Sequence, residues 1–217
     1  MTSSRSDVTR QLFLPGPAGR LEALLAMPRG MPRGIAVVCH PHSLYGGALT
    51  NKVVYTLAGC ALKTGLAALR FNFRGVGDSQ GRFDNAIGET DDTLACVDWL
   101  ARRLPGLPLL LAGFSFGAHV ALKAAGRVTP RALVTISIAF GRYVAAAKNP
   151  PHPHCPWLAV HSRDDDVVAY ADSRVQLQRY APPPQLLTLD GAGHFYHRHL
   201  GQLQAAVLPF LRTQWTD

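Results

Sequence analysis

The segment Leu109-Leu110-Leu111-Ala112-Gly113-Phe114-Ser115-Phe116-Gly117 constrains this chain more than any other. An apolar run of strand length leads into Gly-x-Ser-x-Gly. An apolar stretch of helical character follows, carrying Ala121, Leu122 and Ala125. A strand that turns into a helix this abruptly forces its serine into strained backbone angles. Side chains at the flanking positions would collide with neighbouring backbone, hence the two glycines. The turn lifts the Ser115 hydroxyl out at the carboxyl end of a sheet. The helix beginning at Phe116 points its N-terminus there, which favours a developing negative charge. A chance pentapeptide has no reason to fall between a strand and a helix, so Ser115 is read as a nucleophile.

The rest of the chain alternates. Two apolar stretches, 9–14 and 21–27, flank a Pro/Gly turn and read as an antiparallel hairpin. After a Pro/Gly linker, short apolar runs at 35–39, 67–73, 107–112, 132–138, 156–161 and 185–189 read as strands. Helical periodicity marks 50–63, 89–103, 116–126, 170–180 and 200–215. Strands alternating with helices make a mostly parallel sheet covered on both faces. The expectation is a three-layer α/β/α sandwich over 1–217, a single domain. Its eight-stranded sheet is mostly parallel, with an antiparallel N-terminal edge. The 17 residues 139–155 join two strands and are too few for a cap domain, so the candidate site should be open to solvent.

The 217 residues carry 22 Lys+Arg against 14 Asp+Glu, a net charge of +8. The basic residues are scattered and only four are lysines, so the charge reads as an arginine-rich composition and not as a nucleic-acid surface. The first ten residues are polar and no apolar run reaches the ~18 of a membrane span. Cys39, Cys60, Cys96 and Cys155 are isolated in or beside apolar segments, which suits buried reduced thiols and a cytoplasmic protein.

A nucleophilic serine needs a base, and the base needs an orienting carboxylate. On this strand order the acid and then the histidine follow the serine. His119 sits one turn into the nucleophile helix and cannot turn back onto Ser115; His161 lies at a strand end, before the acidic cluster. His194 occupies a Gly-rich loop, Asp190-Gly191-Ala192-Gly193-His194-Phe195, between the last strand and the last helix. It is the favoured base, with His197 second; His197 and His199 are expected to begin the helix. Between Ser115 and His194 the carboxylates are Asp164, Asp165, Asp166, Asp172 and Asp190. Asp172 falls in a helix and Asp190 in a turn, which leaves the cluster 163–166. Asp165 is favoured there, with Asp166 the alternative. Two backbone N–H groups must hold the oxyanion. Phe116 supplies one. The loop His40-Pro41-His42-Ser43 supplies the other; Pro41 has no N–H, which leaves His42 or Ser43, and His42 is taken.

With these residues assembled, the chain resembles the α/β-hydrolase superfamily, and within it small cap-less bacterial serine hydrolases related to dienelactone hydrolases and carboxylesterases. The resemblance rests on His40-Pro41-His42, Leu44-Tyr45-Gly46-Gly47, the stretch from Arg70 to Gly81 (Arg-Phe-Asn-Phe-Arg-Gly-Val-Gly-Asp-Ser-Gln-Gly), Gly88-Glu89 with Asp92, the serine pentapeptide, and Gly191-Ala192-Gly193-His194-Phe195-Tyr196. It implies a Gly-x-x-Asp-x-x-Val register for the acid, which selects Asp165, with Ser162 where glycine is usual. It implies a Ser-His-Asp hydrolase of esters or thioesters, with no cofactor and a small-molecule substrate.

Leu44, Tyr45, Phe114, Phe140, Tyr143, Phe195 and Tyr196 fall near the expected site and suggest an apolar pocket for short to medium acyl groups. Leu44, Tyr45, Phe140 and Phe195 are the chosen binding residues. Arg74 and Asp78 read as parts of a structural turn. The pairs His40/His42 and His152/His154 lack the partners of a metal site. Two other readings stand beside ester hydrolysis. One is a non-catalytic binder on the same fold. The other is a peptidase or acyltransferase on the same triad; a peptidase of this kind commonly carries an extra domain, and none fits here.

Overall fold

The computed structural model describes residues 8–141 and 150–216. Eight strands form one sheet: β1 (Val8–Gly16), β2 (Gly19–Met27), β3 (Gly34–Cys39), β4 (Leu66–Phe71), β5 (Leu109–Phe114), β6 (Ala132–Ile136), β7 (Trp157–Ser162) and β8 (Gln185–Leu189). Their order is β1-β2-β4-β3-β5-β6-β7-β8. β2 pairs antiparallel with both β1 and β4, and every other pairing is parallel. The N-terminal hairpin therefore forms the antiparallel edge, as its helix-free connection predicts.

The all-apolar runs become the interior strands. Every residue of β3, β4, β5, β6 and β7 is buried, because helices cover both faces of the sheet. Alternate side chains go to opposite layers. Ile35, Val37 and Cys39 of β3 join one core with Cys96, Trp99 and Leu100 of α2 (Gly88–Arg103) and Val120 and Ala124 of α3 (Phe116–Ala125). Ala36 and Val38 join the other, with Val53, Val54 and Leu57 of α1 (Lys52–Lys63) and Leu203, Val207 and Phe210 of α5 (Leu200–Gln214). Asn51 caps α1: its side-chain oxygen accepts from the N–H groups of Val53 and Val54.

Several boundaries differ from the sequence reading. β5 runs on to Phe114, because Gly113 and Phe114 still pair with Thr135 and Ile136 of β6. β6 stops at Ile136, where Ser137 takes a positive φ of 43° and donates its N–H to Val160. α4 (Tyr170–Leu177) is shorter than its periodicity suggests, and Pro182, Pro183 and Pro184 follow soon after it. His197 and His199 precede α5 in a run of turns.

The strand order locates the site. From β3 the chain moves outward to β4 through α1, whereas from β5 it moves the opposite way to β6 through α3. Connections leaving β3 and β5 in opposite directions open a crevice beyond their carboxyl ends, the usual place for a ligand in an open α/β sheet. The loop after β3 and the turn after β5 both border it.

Candidate active site

Ser115 stands between β5 and α3 with φ 55° and ψ −118°, a conformation that L-residues avoid. It persists because its surroundings over-determine it. Its N–H donates to Ile136 at 2.8 Å, and its carbonyl accepts from Ala118 at 3.0 Å. The flanking glycines are obligatory by contact. A Cβ on Gly113 would lie 2.2 Å from the Gly117 carbonyl oxygen. One on Gly117 would lie 2.2 Å from the His40 oxygen.

His194 and Asp165 come together as the sequence predicts. His194 Nδ1 lies 2.9 Å from Asp165 Oδ2 and 3.0 Å from Oδ1, and both side chains are buried. The carboxylate only accepts, so Nδ1 carries the hydrogen and Nε2 keeps the lone pair a base needs. The second oxygen, Oδ1, accepts from the N–H groups of Val167 at 3.0 Å and Val168 at 2.7 Å. Burial by itself would raise the Asp165 carboxyl. The hydrogen bonds from His161, His194 and Val168 outweigh it and hold the group well below the usual carboxylate range.

The loop after β3 is set by His40, not by chance packing. His40 Nε2 accepts the N–H of Phe73 at 3.0 Å, so its hydrogen must be on Nδ1, which donates to the Pro41 carbonyl. Burial lowers this imidazole to about 4 and keeps it neutral. His42 follows, with its Nδ1 accepting from Leu44 and its carbonyl accepting from Tyr45 and Gly47. The His42 ring packs 4.9 Å from that of Phe116. The two residues expected to supply the oxyanion N–H groups are therefore neighbours.

Ser115 and His194 line one cavity of about 360 Å³, together with Pro41, His42, Tyr45, Gly46, Gly47, Asn51, Val167 and Phe195. Of the expected binding residues, Tyr45 and Phe195 form its wall. Leu44 is 68% exposed and Phe140 faces a different hollow; neither lines it. Phe114 and Tyr196 are fully buried core residues, and Tyr143 lies outside the described residues. Arg74 is a strut: its guanidinium makes two bonds to Asp92 of α2, at 2.8 and 3.0 Å. Asp78 is held through its backbone by Glu22 and Arg20. Among the described residues, no three His, Cys, Asp or Glu side chains converge as a metal site would need, and no helix is long and apolar enough to cross a membrane.

Residues 18–149, more than half of the chain, match the model of the family described as X-Pro dipeptidyl-peptidase (S15 family). The chain belongs to the S15 peptidase family, within the α/β-hydrolase superfamily. The match contains Ser115 and ends before Asp165 and His194. This S15-family chain is 33% identical over 215 residues to an uncharacterized protein of Rickettsia prowazekii, covering 94% of this chain and 89% of that one. Its fold is similar to a Xanthomonas campestris protein described as an α/β serine hydrolase without lid: 35% identity, 96% and 95% of the two chains, TM-score 0.86. It is equally similar to an α/β serine hydrolase homologue from Coxiella burnetii, with 34% identity, 97% and 98% coverage and a TM-score of 0.87. The sequence left a peptidase as an alternative reading, and the family match adds weight to it.

Three features of this S15-family site escape the sequence reading. Asp164 clamps the histidine loop: Oδ1 accepts from Ser162 Oγ and Gly191 N, and Oδ2 from Gly193 N. Tyr196 anchors that loop from below, its hydroxyl 3.0 Å from Ser137 Oγ. His161 Nε2 lies 3.4 Å from Asp165 Oδ2, the oxygen that His194 also meets. The hydrophilic run 163–166 gave a signal for an acid but none for a clamp, since a clamp is defined by a loop 27 to 29 residues on.

Proposed function

We propose that this protein hydrolyses carboxylic esters or thioesters of small to medium acyl groups through an acyl-enzyme on Ser115. The observation that carries the reading is a strained serine and a buried Asp165–His194 pair opening into one cavity. His194 Nε2 takes the Ser115 proton as Oγ attacks the carbonyl carbon. Asp165 holds the imidazole in register and stabilises the cation that forms. The N–H groups of Phe116 and His42 receive the oxyanion, each donor being worth about 3 kcal/mol in the transition state. His194 then returns the proton to the leaving alcohol or thiol, and water releases the acyl group by the same steps in reverse order. The apolar ring of Phe195 and a cavity of about 360 Å³ suit a compact acyl group.

Peptidase action is the second reading, favoured by the family match. A dipeptidyl-peptidase must hold a protonated substrate amine, which calls for a carboxylate in the binding wall. Among the described residues lining the cavity, the polar side chains are His42, Tyr45, Asn51, Ser115 and His194, and none is a carboxylate. This supports esters over X-Pro peptides.

The test pairs Ser115→Ala with the parent protein on p-nitrophenyl acetate and butyrate and on Gly-Pro-p-nitroanilide, with fluorophosphonate labelling alongside. The parent is expected to be labelled and to cleave the esters far faster than the anilide. Ser115→Ala should lose both signals by a factor of at least about 10³. Undiminished turnover in the variant overturns the assignment. Faster cleavage of the anilide selects the peptidase reading, and an unlabelled, inactive parent a non-catalytic binder.

A further inference from the structure

His161 is the penultimate residue of β7 and is 1% exposed. Its Nε2 lies 2.9 Å from the Val168 carbonyl oxygen and 3.4 Å from Asp165 Oδ2. A carbonyl oxygen only accepts, so this nitrogen carries the hydrogen. Nδ1 is buried with no hydrogen-bond partner. A proton there would be an unpaired buried donor, so the ring serves as a neutral donor with one working edge. That edge meets Oδ2, the oxygen that also receives His194 Nδ1 at 2.9 Å.

We propose that His161 is a positioning residue for the catalytic base: it shares its Nε2 hydrogen between Val168 and Asp165, holds the plane of the carboxylate, and reduces the charge that Oδ2 presents to His194. The inference rests on the triad reading above. Asp165 then sits in a cradle of four donors, two backbone and two imidazole. Its Oδ1 is fixed by Val167 and Val168, and its Oδ2 is divided between His161 and His194. Without His161, Oδ2 is free to swing toward His194 or to take a water, and the imidazole loses its fixed direction. The groups that face this cradle are few. Asp164 comes from the same loop, with its oxygens committed to Ser162, Gly191 and Gly193. Tyr170 of α4 packs edge-on to the His161 ring at 5.8 Å, with Arg163 over its face. Tyr196 arrives from the histidine loop, its hydroxyl bonded to Ser137.

The experiment compares His161→Leu with His161→Gln. Glutamine keeps an amide that can donate to both oxygens, and leucine keeps only the bulk. In His161→Leu, kcat on p-nitrophenyl butyrate should fall about tenfold with KM little changed, the scale of one lost hydrogen bond. The acid limb of kcat/KM against pH should move upward, because an Asp165 relieved of one donor stabilises the His194 cation better. His161→Gln should recover most of both. A folded His161→Leu protein with parental kcat and a parental acid limb overturns the proposal. If leucine prevents folding, His161→Asn replaces it: its shorter amide cannot reach Oδ2, so its limb should shift where that of His161→Gln does not, and equal limbs overturn the proposal. Ser115→Ala is assayed in parallel. Activity retained there fails the triad reading itself; activity lost there with unshifted His161 variants fails this inference alone.

Discussion

Asp164, Asp165 and Asp166 are adjacent and chemically identical, yet the fold gives each a different environment. Asp164 turns toward the histidine loop and clamps two of its backbone N–H groups. Asp165 turns inward and meets two imidazoles and two backbone donors. Asp166 stays exposed. Asp165→Asn keeps the shape but offers an amide that favours the wrong imidazole tautomer. Its kcat should fall by roughly 10²–10⁴, while Asp166→Asn should stay within about twofold of the parent; steady-state kinetics on p-nitrophenyl butyrate check both. Equal losses in the two variants would remove Asp165 from the proposed triad. The elimination among five carboxylates was legible in sequence, because a buried imidazole needs an acid and few were on offer. The sharing of Asp165 with His161 was not, since β7 and the loop after it fold back on each other only in three dimensions.

The turn from β5 into α3 holds a strained Ser115 between two glycines whose missing side chains admit neighbouring backbone. Backbone cannot retreat as a flexible side chain can. Gly117→Ala is expected to cost about 2 kcal/mol or more, lowering the calorimetric midpoint by about 5 °C. Gly201, in the first turn of α5, is the contrasting case: an added Cβ meets nothing within 4 Å. Gly201→Ala should be neutral or stabilise by up to about 1 kcal/mol. If both glycines tolerate alanine equally, close approach does not hold the turn. The interior strands were readable because burial on both faces demands unbroken apolar runs. Their ends were less so. Gly113 and Phe114 belong to a strand by pairing with β6, and pairing leaves no mark on the residue itself.

At the scale of the molecule, two buried imidazoles tie stability to pH. His40 and His119 are both lowered to about 4, with burial the leading cause. His40 is compensated by two hydrogen bonds, whereas both ring nitrogens of His119 lack a partner. Between about pH 6.5 and 4 the unfolded chain binds the protons that the folded one refuses, so stability falls as pH falls through that window. His119→Leu removes one such group. It should make the loss between pH 7 and 4 shallower, by about 3 kcal/mol at most. Denaturant melts at the two pH values measure it, and an unchanged pH slope would refute the account. Among the cations, Lys123 adds to the lowering of His119, whereas Arg74 is paired with Asp92.

The amino-acid order alone determined the alternation of strands and helices, the strained serine turn, the candidate nucleophile and base, and the acidic cluster 163–166 that holds the candidate acid. Each follows from local rules: the period of apolar residues, the close approach that only glycine permits, and the short list of groups able to take a proton. Tertiary structure decided what depends on distance across the sheet. It placed Ser115 and His194 on one cavity, made Tyr45 and Phe195 its wall while leaving Leu44 and Phe140 outside, gave Asp164 to a loop, and set His161 against Asp165. These are contacts between residues far apart in the chain. The packing of the strands determines them, and no property of the single residues does.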